Sequence, residues 1–232
     1  MIVPQYKPLD WVKATNIYEV NLRQYTAEGT FNAFAKELPR LRDMGVETLW
    51  FMPIHPIGTL GRKGTLGSYY SVQDYTETNP EYGTVKDFKT LVRIAQQLDF
   101  KVIIDWVANH SSNDNVWIQE HPDFYIQDDN GVIQHPYDWD DVSALNYDSA
   151  GLRTTMIEAM KFWVETCGID GFRCDMAHMV PPEFWNWVIG RARERKADVW
   201  FMAEAYDNDP AKVRSGNPIL QALDGKTWKH RT

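Results

Sequence analysis

Short runs of apolar residues recur along the chain, and most of them end at a polar or charged residue. Strands of a parallel sheet are buried on both faces, so continuous apolar runs of about four to eight residues are typical of them. The pattern therefore predicts a set of buried parallel strands. The predicted strands are Ile17–Val20, Thr48–Met52, Lys101–Asp105, Gly171–Asp175 and Val199–Glu204.

The stretches between these runs have apolar residues at helical spacing. The first apolar stripe consists of Phe31, Phe34, Ala35, Leu38 and Leu41. Pro39 falls inside this stripe and should kink or shift the helix, because proline lacks the backbone N–H. Thr84 with Asp87 three residues later predicts a capped helix start. Further stripes follow around Met156 and from Pro182 onward, and a proline at the first helical position favours a helix start there.

Strands that alternate with helices indicate an α/β protein with a parallel sheet. Both a (β/α)8 barrel of the TIM type and an open doubly wound sheet fit this alternation. No GxGxxG sequence follows the first strand, which weakens a dinucleotide-binding interpretation. The segment 107–146 is too long for a simple loop, and Asn130-Gly131 within it predicts a hairpin turn. We therefore divide the chain into barrel residues 1–106, a small inserted subdomain 107–146, and barrel residues 147–232.

Composition and charge narrow the range of partners. The formal net charge of −8 disfavours nucleic acid and anionic membranes, which reward basic surfaces. No apolar run reaches the roughly 18 residues of a membrane span. Residues 1–10 lack the apolar core of a signal peptide, so we expect a cytoplasmic protein or a trimmed secreted or periplasmic form. Two cysteines exclude a disulfide framework.

Carboxylates stand at the predicted carboxyl ends of three strands, at Asp105, Asp175 and Glu204. These ends meet on one face of a parallel α/β protein, where active sites form. Two facing carboxylates suit glycoside cleavage, one as nucleophile and the other as proton donor. Arg173 lies two residues before Asp175, so both side chains point to the same face of the strand. We expect this guanidinium to keep Asp175 ionised.

Four segments carry a resemblance to a known family. Asp105-Trp-Val-Ala-Asn109-His110 resembles the DxxxNH motif of the α-amylase family, glycoside hydrolase family 13. The segments 171–175 and 201–204 resemble its nucleophile and acid/base strands, and Tyr69–Tyr75 resembles its sugar-stacking segment. All four occur in the family's order. The resemblance implies a (β/α)8 barrel with a small subdomain after the third strand, acting on α-1,4-glucans.

The resemblance also implies roles for individual residues. Asp175 would be the nucleophile, and Glu204 would act first as general acid and then as base. The side chains implied to bind substrate are Tyr70, His110, Arg173 and His178, and those implied to support the site are Asp105 and Asp74. The Lys-His pair usual after the nucleophile is replaced by His178-Met179, which leaves substrate preference there open.

Metal dependence departs from the family pattern. Asn109 matches a calcium ligand of typical members, but the usual second ligand would fall near Ala144, which has no side-chain oxygen. We therefore expect no required cofactor, with calcium at Asn109 as the alternative.

The family's third catalytic carboxylate, an Asp after an Asn-His pair, has no counterpart in this sequence. The tail also does not resemble a sixth strand, and a complete barrel usually needs about 250 residues. We expect an incomplete catalytic domain whose open barrel edge self-associates or meets a complementing chain.

Three hypotheses follow. The first is a retaining α-glucan hydrolase or transglycosylase, present incompletely. The second is a catalytically inactive α-glucan-binding or assembly fragment, favoured by the absence of the third carboxylate. The third is an open-sheet enzyme of another kind, in which the motif matches are accidental.

Overall fold

The computed structural model describes residues 6 and 9–205, and a parallel sheet lies at its centre. The strands in this part are β1 (Ile17–Val20), β2 (Thr48–Phe51), β3 (Lys101–Val107), β4 (His110–Ser112), β5 (Val142–Ala144), β6 (Gly171–Asp175) and β7 (Trp200–Ala203). The α-helices are α1 (Leu22–Tyr25), α2 (Phe31–Phe34), α3 (Leu38–Asp43), α4 (Val85–Gln97), α5 (Trp117–Glu120), α6 (Ala150–Phe162) and α7 (Pro182–Arg195). Single 3-10 turns occupy Asp10–Lys13, Ala35–Glu37, Pro122–Phe124 and Ala177–Met179, and a π-turn occupies Trp163–Cys167.

The central sheet has the strand order β1-β2-β3-β6-β7, and every neighbouring pair is parallel. The order follows the chain without reversal. A doubly wound sheet reverses its order at a switch point, whereas a barrel does not. The fold is therefore of the (β/α)8 type, with five barrel strands in the described residues. All five predicted strands are confirmed, with boundaries shifted by no more than two residues.

Aromatic residues join the sheet to the helices around it. Phe51 on β2 contacts Phe34 of α2 and Phe88 of α4, with ring centroids 5.2 and 5.9 Å apart. Trp163 after α6 contacts Phe88 from the other side at 5.7 Å. The rings meet edge to face, the arrangement that aromatic quadrupoles favour. This packing fixes one face of the strands against helices and leaves the other face to the barrel interior.

The first predicted helix is divided. Residues 31–34 are α-helical, Ala35–Glu37 form a 3-10 turn, and α3 begins at Leu38 with Pro39 in its first turn. The helix is interrupted before Pro39, as expected. The proline lies in the first turn of α3, where a backbone N–H would have no hydrogen-bond partner within the helix. Ala35 is half-buried and packs against the hydrophobic core, as the predicted stripe requires.

The other two helix starts agree with the sequence pattern. Thr84 and Asp87 form a capping box at the start of α4, each side chain accepting a hydrogen bond from the other residue's backbone N–H. The helix α7 begins at Pro182, the first-turn position that the sequence predicted for this proline.

A long excursion separates β3 from α6. Within it, β4 and β5 form a two-stranded antiparallel sheet. Gln127 and Ile133 form an antiparallel bridge across a turn in which Gly131 has φ +78°, so the predicted hairpin is confirmed. The division of the chain at 107 and 146 stays a prediction. The tail that we expected to lack a sixth strand lies outside the described residues.

The described N-terminal residues pack against the amino-terminal ends of barrel strands. Tyr6 donates a hydrogen bond to the Asn186 carbonyl of α7. Trp11 donates to the Asp198 carbonyl at 3.3 Å and packs against Trp200, the first residue of β7, with ring centroids 5.5 Å apart. The Lys101 ammonium, at the start of β3, lies 5.2 Å from the Trp11 ring centroid. The segment therefore contacts α7 and the starts of β3 and β7.

Both cysteines, Cys167 and Cys174, are buried and free. In residues 6 and 9–205, no helix has the length and apolar character needed to cross a bilayer.

Candidate active site

The three predicted carboxylates meet at the carboxyl ends of neighbouring strands. Asp105 on β3 is in register with Arg173 on β6, and Glu204 follows directly after β7. Asp105 is fully buried, and Arg173 and Asp175 are 8% and 7% exposed. Because the strands are parallel, their carboxyl ends bring these side chains to one end of the barrel interior. The predicted association of Asp105, Asp175 and Glu204 is therefore present.

Arg173 lies at the centre of this cluster and binds all three carboxylates. Its Nη1 lies 3.0 Å from Asp105 Oδ1 and 3.0 Å from Asp175 Oδ1, while Nη2 lies 2.8 Å from Glu204 Oε1. The guanidinium carbon also stands 5.0 Å from the ring centroid of Trp50, a cation–π distance. One positive charge thus faces three acidic groups.

Asp105 has the most complete set of hydrogen bonds. Its Oδ2 accepts from the Trp50 indole at 3.1 Å, the Tyr70 hydroxyl at 3.2 Å and Arg173 at 3.2 Å. Burial nevertheless raises the pKa of Asp105 to about 6, and Arg173 offsets this only in part. Asp105 therefore holds the side chains of Arg173 and Tyr70 in position next to Asp175.

Asp175 and Glu204 bind the same guanidinium, Asp175 through Nη1 at 3.0 Å and Glu204 through Nη2 at 2.8 Å. Burial, followed by the negative charge of Asp105, raises the pKa of Asp175 to about 8. Arg173 lowers the pKa of Asp175 but offsets this rise only in part, because its charge is shared among three acidic groups; that Arg173 keeps Asp175 ionised stays a prediction.

The backbone directly after Asp175 holds Glu204 in place. Met176 has φ +44° and ψ +40°, a left-handed conformation that side chains rarely adopt. Its N–H donates to Glu204 Oε2 at 3.0 Å, and the Ala177 N–H donates to the Glu204 carbonyl at 2.8 Å. The sequence contains no signal for this residue. Trp50 was also missed, although an indole N–H in a buried strand needs an acceptor.

Tyr70 and His110 adjoin the cluster as the resemblance implied. Burial raises the pKa of the Tyr70 hydroxyl far above its usual range, so this group stays a neutral donor. His110 is 4% exposed, and the Tyr70 backbone beside its ring offsets the effect of burial on its pKa only in part. Burial lowers the pKa of His110 to about 4, so the ring is neutral at ordinary pH and suits hydrogen bonding to an uncharged hydroxyl.

The remaining predicted residues occupy the periphery. His178 is exposed in the 3-10 turn after β6. Asp74 Oδ1 accepts hydrogen bonds from the N–H and hydroxyl of Thr76, both at 2.8 Å, and so stabilises a turn. Both keep the roles that the resemblance implied as predictions.

The described residues around Asn109 supply few side-chain oxygen ligands for a calcium ion. Asn109 Nδ2 lies 3.2 Å from His110 Nδ1, and Ala144, opposite His110 on β5, supplies no side-chain oxygen. Across residues 9–205, no three His, Cys, Asp or Glu side chains are grouped as metal ligands. The residues present therefore do not fit a strong calcium site, and calcium at Asn109 stays an untested alternative.

Comparison with known proteins agrees with this geometry. The sequence model of the alpha amylase catalytic domain matches residues 13–142 and 136–215. The alpha-1,4-glucan:maltose-1-phosphate maltosyltransferase of Corynebacterium glutamicum is 32% identical over 223 residues, which cover 87% of this chain and 33% of the relative. The enzyme of the same name from Rhodospirillum rubrum is 32% identical over 238 residues, covering 91% of this chain and 34% of the relative.

Solved structures give the same picture. An alpha-amylase from Lactobacillus plantarum has a TM-score of 0.80 and 39% identity, over 83% of this chain and 46% of that chain. A maltogenic alpha-amylase from Thermotoga neapolitana also has a TM-score of 0.80 and 39% identity, over 87% of this chain and 47% of that chain. The chain thus spans about a third of the curated relatives and about half of these structures.

Proposed function

The chain belongs to the α-amylase family of catalytic domains, and from this premise we propose that it carries the nucleophile and the acid/base of a retaining enzyme that cleaves α-1,4-glucosidic bonds in α-glucans. One observation carries the proposal. Asp175 and Glu204 lie at the carboxyl ends of adjacent strands and are both ion-paired to Arg173. Two carboxyl groups held by one guanidinium suit a retaining mechanism, in which the nucleophile and the acid/base stand about 5–5.5 Å apart.

In the first step, a carboxylate oxygen of Asp175 attacks the anomeric carbon. The bond from this carbon to the glycosidic oxygen breaks, and the proton of Glu204 passes to that oxygen. The step needs Asp175 ionised and Glu204 protonated when substrate is bound. Arg173 favours this state, because its Nη1 stabilises charge on Asp175.

In the second step, Glu204 is a carboxylate and takes a proton from the acceptor. The acceptor oxygen bonds to the anomeric carbon, the ester bond to Asp175 breaks, and Asp175 leaves as carboxylate. The Met176 N–H, 3.0 Å from Glu204 Oε2, stabilises the charged form of Glu204 at this stage. The neutral His110 ring and the Tyr70 hydroxyl supply uncharged contacts for the bound sugar.

The identity of the acceptor separates two candidate functions. Water as acceptor gives hydrolysis, which the names of the 39% identical amylase structures favour. A sugar hydroxyl as acceptor gives glycosyl transfer, which the 32% identical maltosyltransferases favour. We propose hydrolysis as the main activity and transfer as the second candidate.

The test uses maltoheptaose with the purified chain. Asp175→Asn and Glu204→Gln should each reduce turnover at least about 1,000-fold, whereas Glu165→Gln, a surface carboxylate paired with Arg195, should leave it unchanged. Shorter products alone indicate hydrolysis, whereas shorter products together with products longer than seven units indicate transfer. Turnover that survives both active-site substitutions would refute the assignment. A parent chain that binds maltoheptaose without turnover would favour the inactive binding fragment.

A further inference from the structure

An aromatic pair continues outward from the candidate active site. Trp139 packs edge to face on the His110 ring, with centroids 5.5 Å apart. Tyr137 packs on Trp139 with centroids 5.4 Å apart and is 74% exposed. A large aromatic side chain so exposed loses the benefit of burial, and Tyr137 also adopts φ +53°, a conformation that is costly for a side chain of this size. Neither feature serves the packing of the described residues.

The pair is continuous with the catalytic cluster. Asp105 accepts a hydrogen bond from Tyr70 at 3.2 Å, and the Tyr70 backbone stands beside the His110 ring. His110 then contacts Trp139, and Trp139 contacts Tyr137. This sequence of direct contacts leads from the base of the active site to the exposed ring. A polymeric substrate that fills the site at His110 would meet these two rings next.

The loop that carries the rings is tied to the rest of the site. The Ser71 hydroxyl donates to the Asp141 carbonyl at 3.0 Å, next to Tyr70. Asn113 Nδ2 donates to the Asp140 carbonyl at 2.9 Å, and Lys63 ion-pairs with the carboxylates of Asp140 and Asp141 at 2.9 and 3.1 Å. Because these bonds fix the loop directly after Trp139, they limit the movement of the rings before any ligand binds.

We propose that Tyr137 and Trp139 form an additional binding subsite, which takes a glucosyl unit of an α-glucan beyond the unit contacted by His110. This inference rests on the proposed function. The rings offer flat apolar faces for the C–H groups of a sugar, and the exposed Asp138 and Asp140 offer acceptors for its hydroxyls. Nucleic-acid bases also stack on aromatics, but they need a basic groove for the phosphates, and this surface is acidic.

The subsite is tested by binding, in the Asp175→Asn background, so that turnover plays no part. Isothermal titration with maltoheptaose and with maltose is compared for the parent, Tyr137→Ala and Tyr137→Phe. Tyr137→Ala should weaken maltoheptaose binding about 5- to 10-fold and leave maltose unchanged, while Tyr137→Phe should stay within about 2-fold. Trp187→Ala removes an aromatic of 46% exposure on α7 and should change neither affinity.

The outcomes separate this inference from the proposed function. Unchanged maltoheptaose affinity in Tyr137→Ala, with a parent that binds both sugars, overturns the subsite and leaves the proposed function standing. Equal weakening for both sugars also overturns it, because it marks a disturbance of the site near His110. A parent that binds neither sugar overturns both the subsite and the proposed α-glucan specificity.

Discussion

Arg173 and Asp175 stand two residues apart on β6 and form an ion pair of 3.0 Å inside the barrel. The same guanidinium nitrogen also lies 3.0 Å from Asp105. Removing a partner from a buried ion pair leaves an uncompensated charge, which costs more than the pair itself contributes. The stability of this end of the barrel therefore depends on one arginine.

Arg173→Met should lower the free energy of unfolding by about 3–5 kcal/mol at neutral pH, because the buried acidic groups of Asp105 and Asp175 lose their counter-charge. Arg173→Lys should recover only part of this loss, since a single ammonium cannot span three acidic groups. Urea unfolding measures both. The control, Arg191→Ala, removes an exposed pair with Glu194 and should change little. Equal effects of Arg173→Met and the control would contradict this reading.

Asp175→Asn should remove a pH dependence of stability. Because the folded-state pKa of Asp175 is about 8, above its unfolded value near 4, the folded state holds a proton that the unfolded state releases between these values. The stabilising contribution is full below about pH 4 and is lost as pH rises through about 8. The free energy of unfolding should therefore fall over this window in the parent.

In urea unfolding, Asp175→Asn should exceed the parent by at least about 1 kcal/mol at pH 8 and match it more closely at pH 4.5. Asp129→Asn, on the exposed hairpin turn, is the control and should follow the parent at both pH values. A parent and an Asp175→Asn variant with parallel pH profiles would show that the carboxyl group is ionised throughout.

Gly171→Ala should destabilise the contact between β6 and β7. A Cβ at this position would lie 2.2 Å from the Trp200 carbonyl oxygen, which belongs to the backbone and cannot turn aside. We expect a loss on the order of a few kcal/mol and a fall in activity, because the shift displaces Glu204 from Asp175. Gly190→Ala meets only the end of the Tyr6 side chain at 3.2 Å and should be far milder in thermal unfolding.

Ser149→Ala should weaken the start of α6, because the Ser149 hydroxyl caps the helix by accepting from the Leu152 N–H. Loss of such a cap typically costs about 1 kcal/mol. Thr154→Ala serves as the matched control, since its hydroxyl bonds within the helix to the Ala150 carbonyl and caps nothing. Chemical denaturation that gives the same midpoint shift for both variants would argue against the cap.

The strands were accessible from the sequence because each buried strand leaves an uninterrupted apolar run, whereas the choice of a barrel over an open sheet came from the family resemblance. Helix starts were accessible where a local signal exists, as at Thr84 and Pro182. The division of the first helix at Ala35–Glu37 was foreseen only as a kink, because the apolar spacing alone does not reveal how the backbone turns at a proline. Long-range packing decides that geometry.

The residues of the site could be predicted from the sequence, but the direction of the Asp175 pKa shift could not. Strand alternation places Arg173 and Asp175 on one face, which suggests a simple pair. The register of β3 against β6 brings Asp105 to the same guanidinium, and β7 adds Glu204. These additions come from tertiary structure and reverse the expected direction of the Asp175 pKa. The left-handed backbone conformation of Met176 likewise cannot be predicted from its residue type.

The N-terminal segment has a consequence for how the chain reaches its native state during translation. Tyr6 and Trp11 contact Asn186, Asp198 and Trp200, partners that lie 180 or more positions later. At roughly 5–20 residues per second, the ribosome delivers those partners on the order of ten seconds or more after the segment itself. The indole of Trp11 therefore lacks its native partners Asp198 and Trp200 during that interval, and any earlier packing of this ring in the nascent chain is non-native.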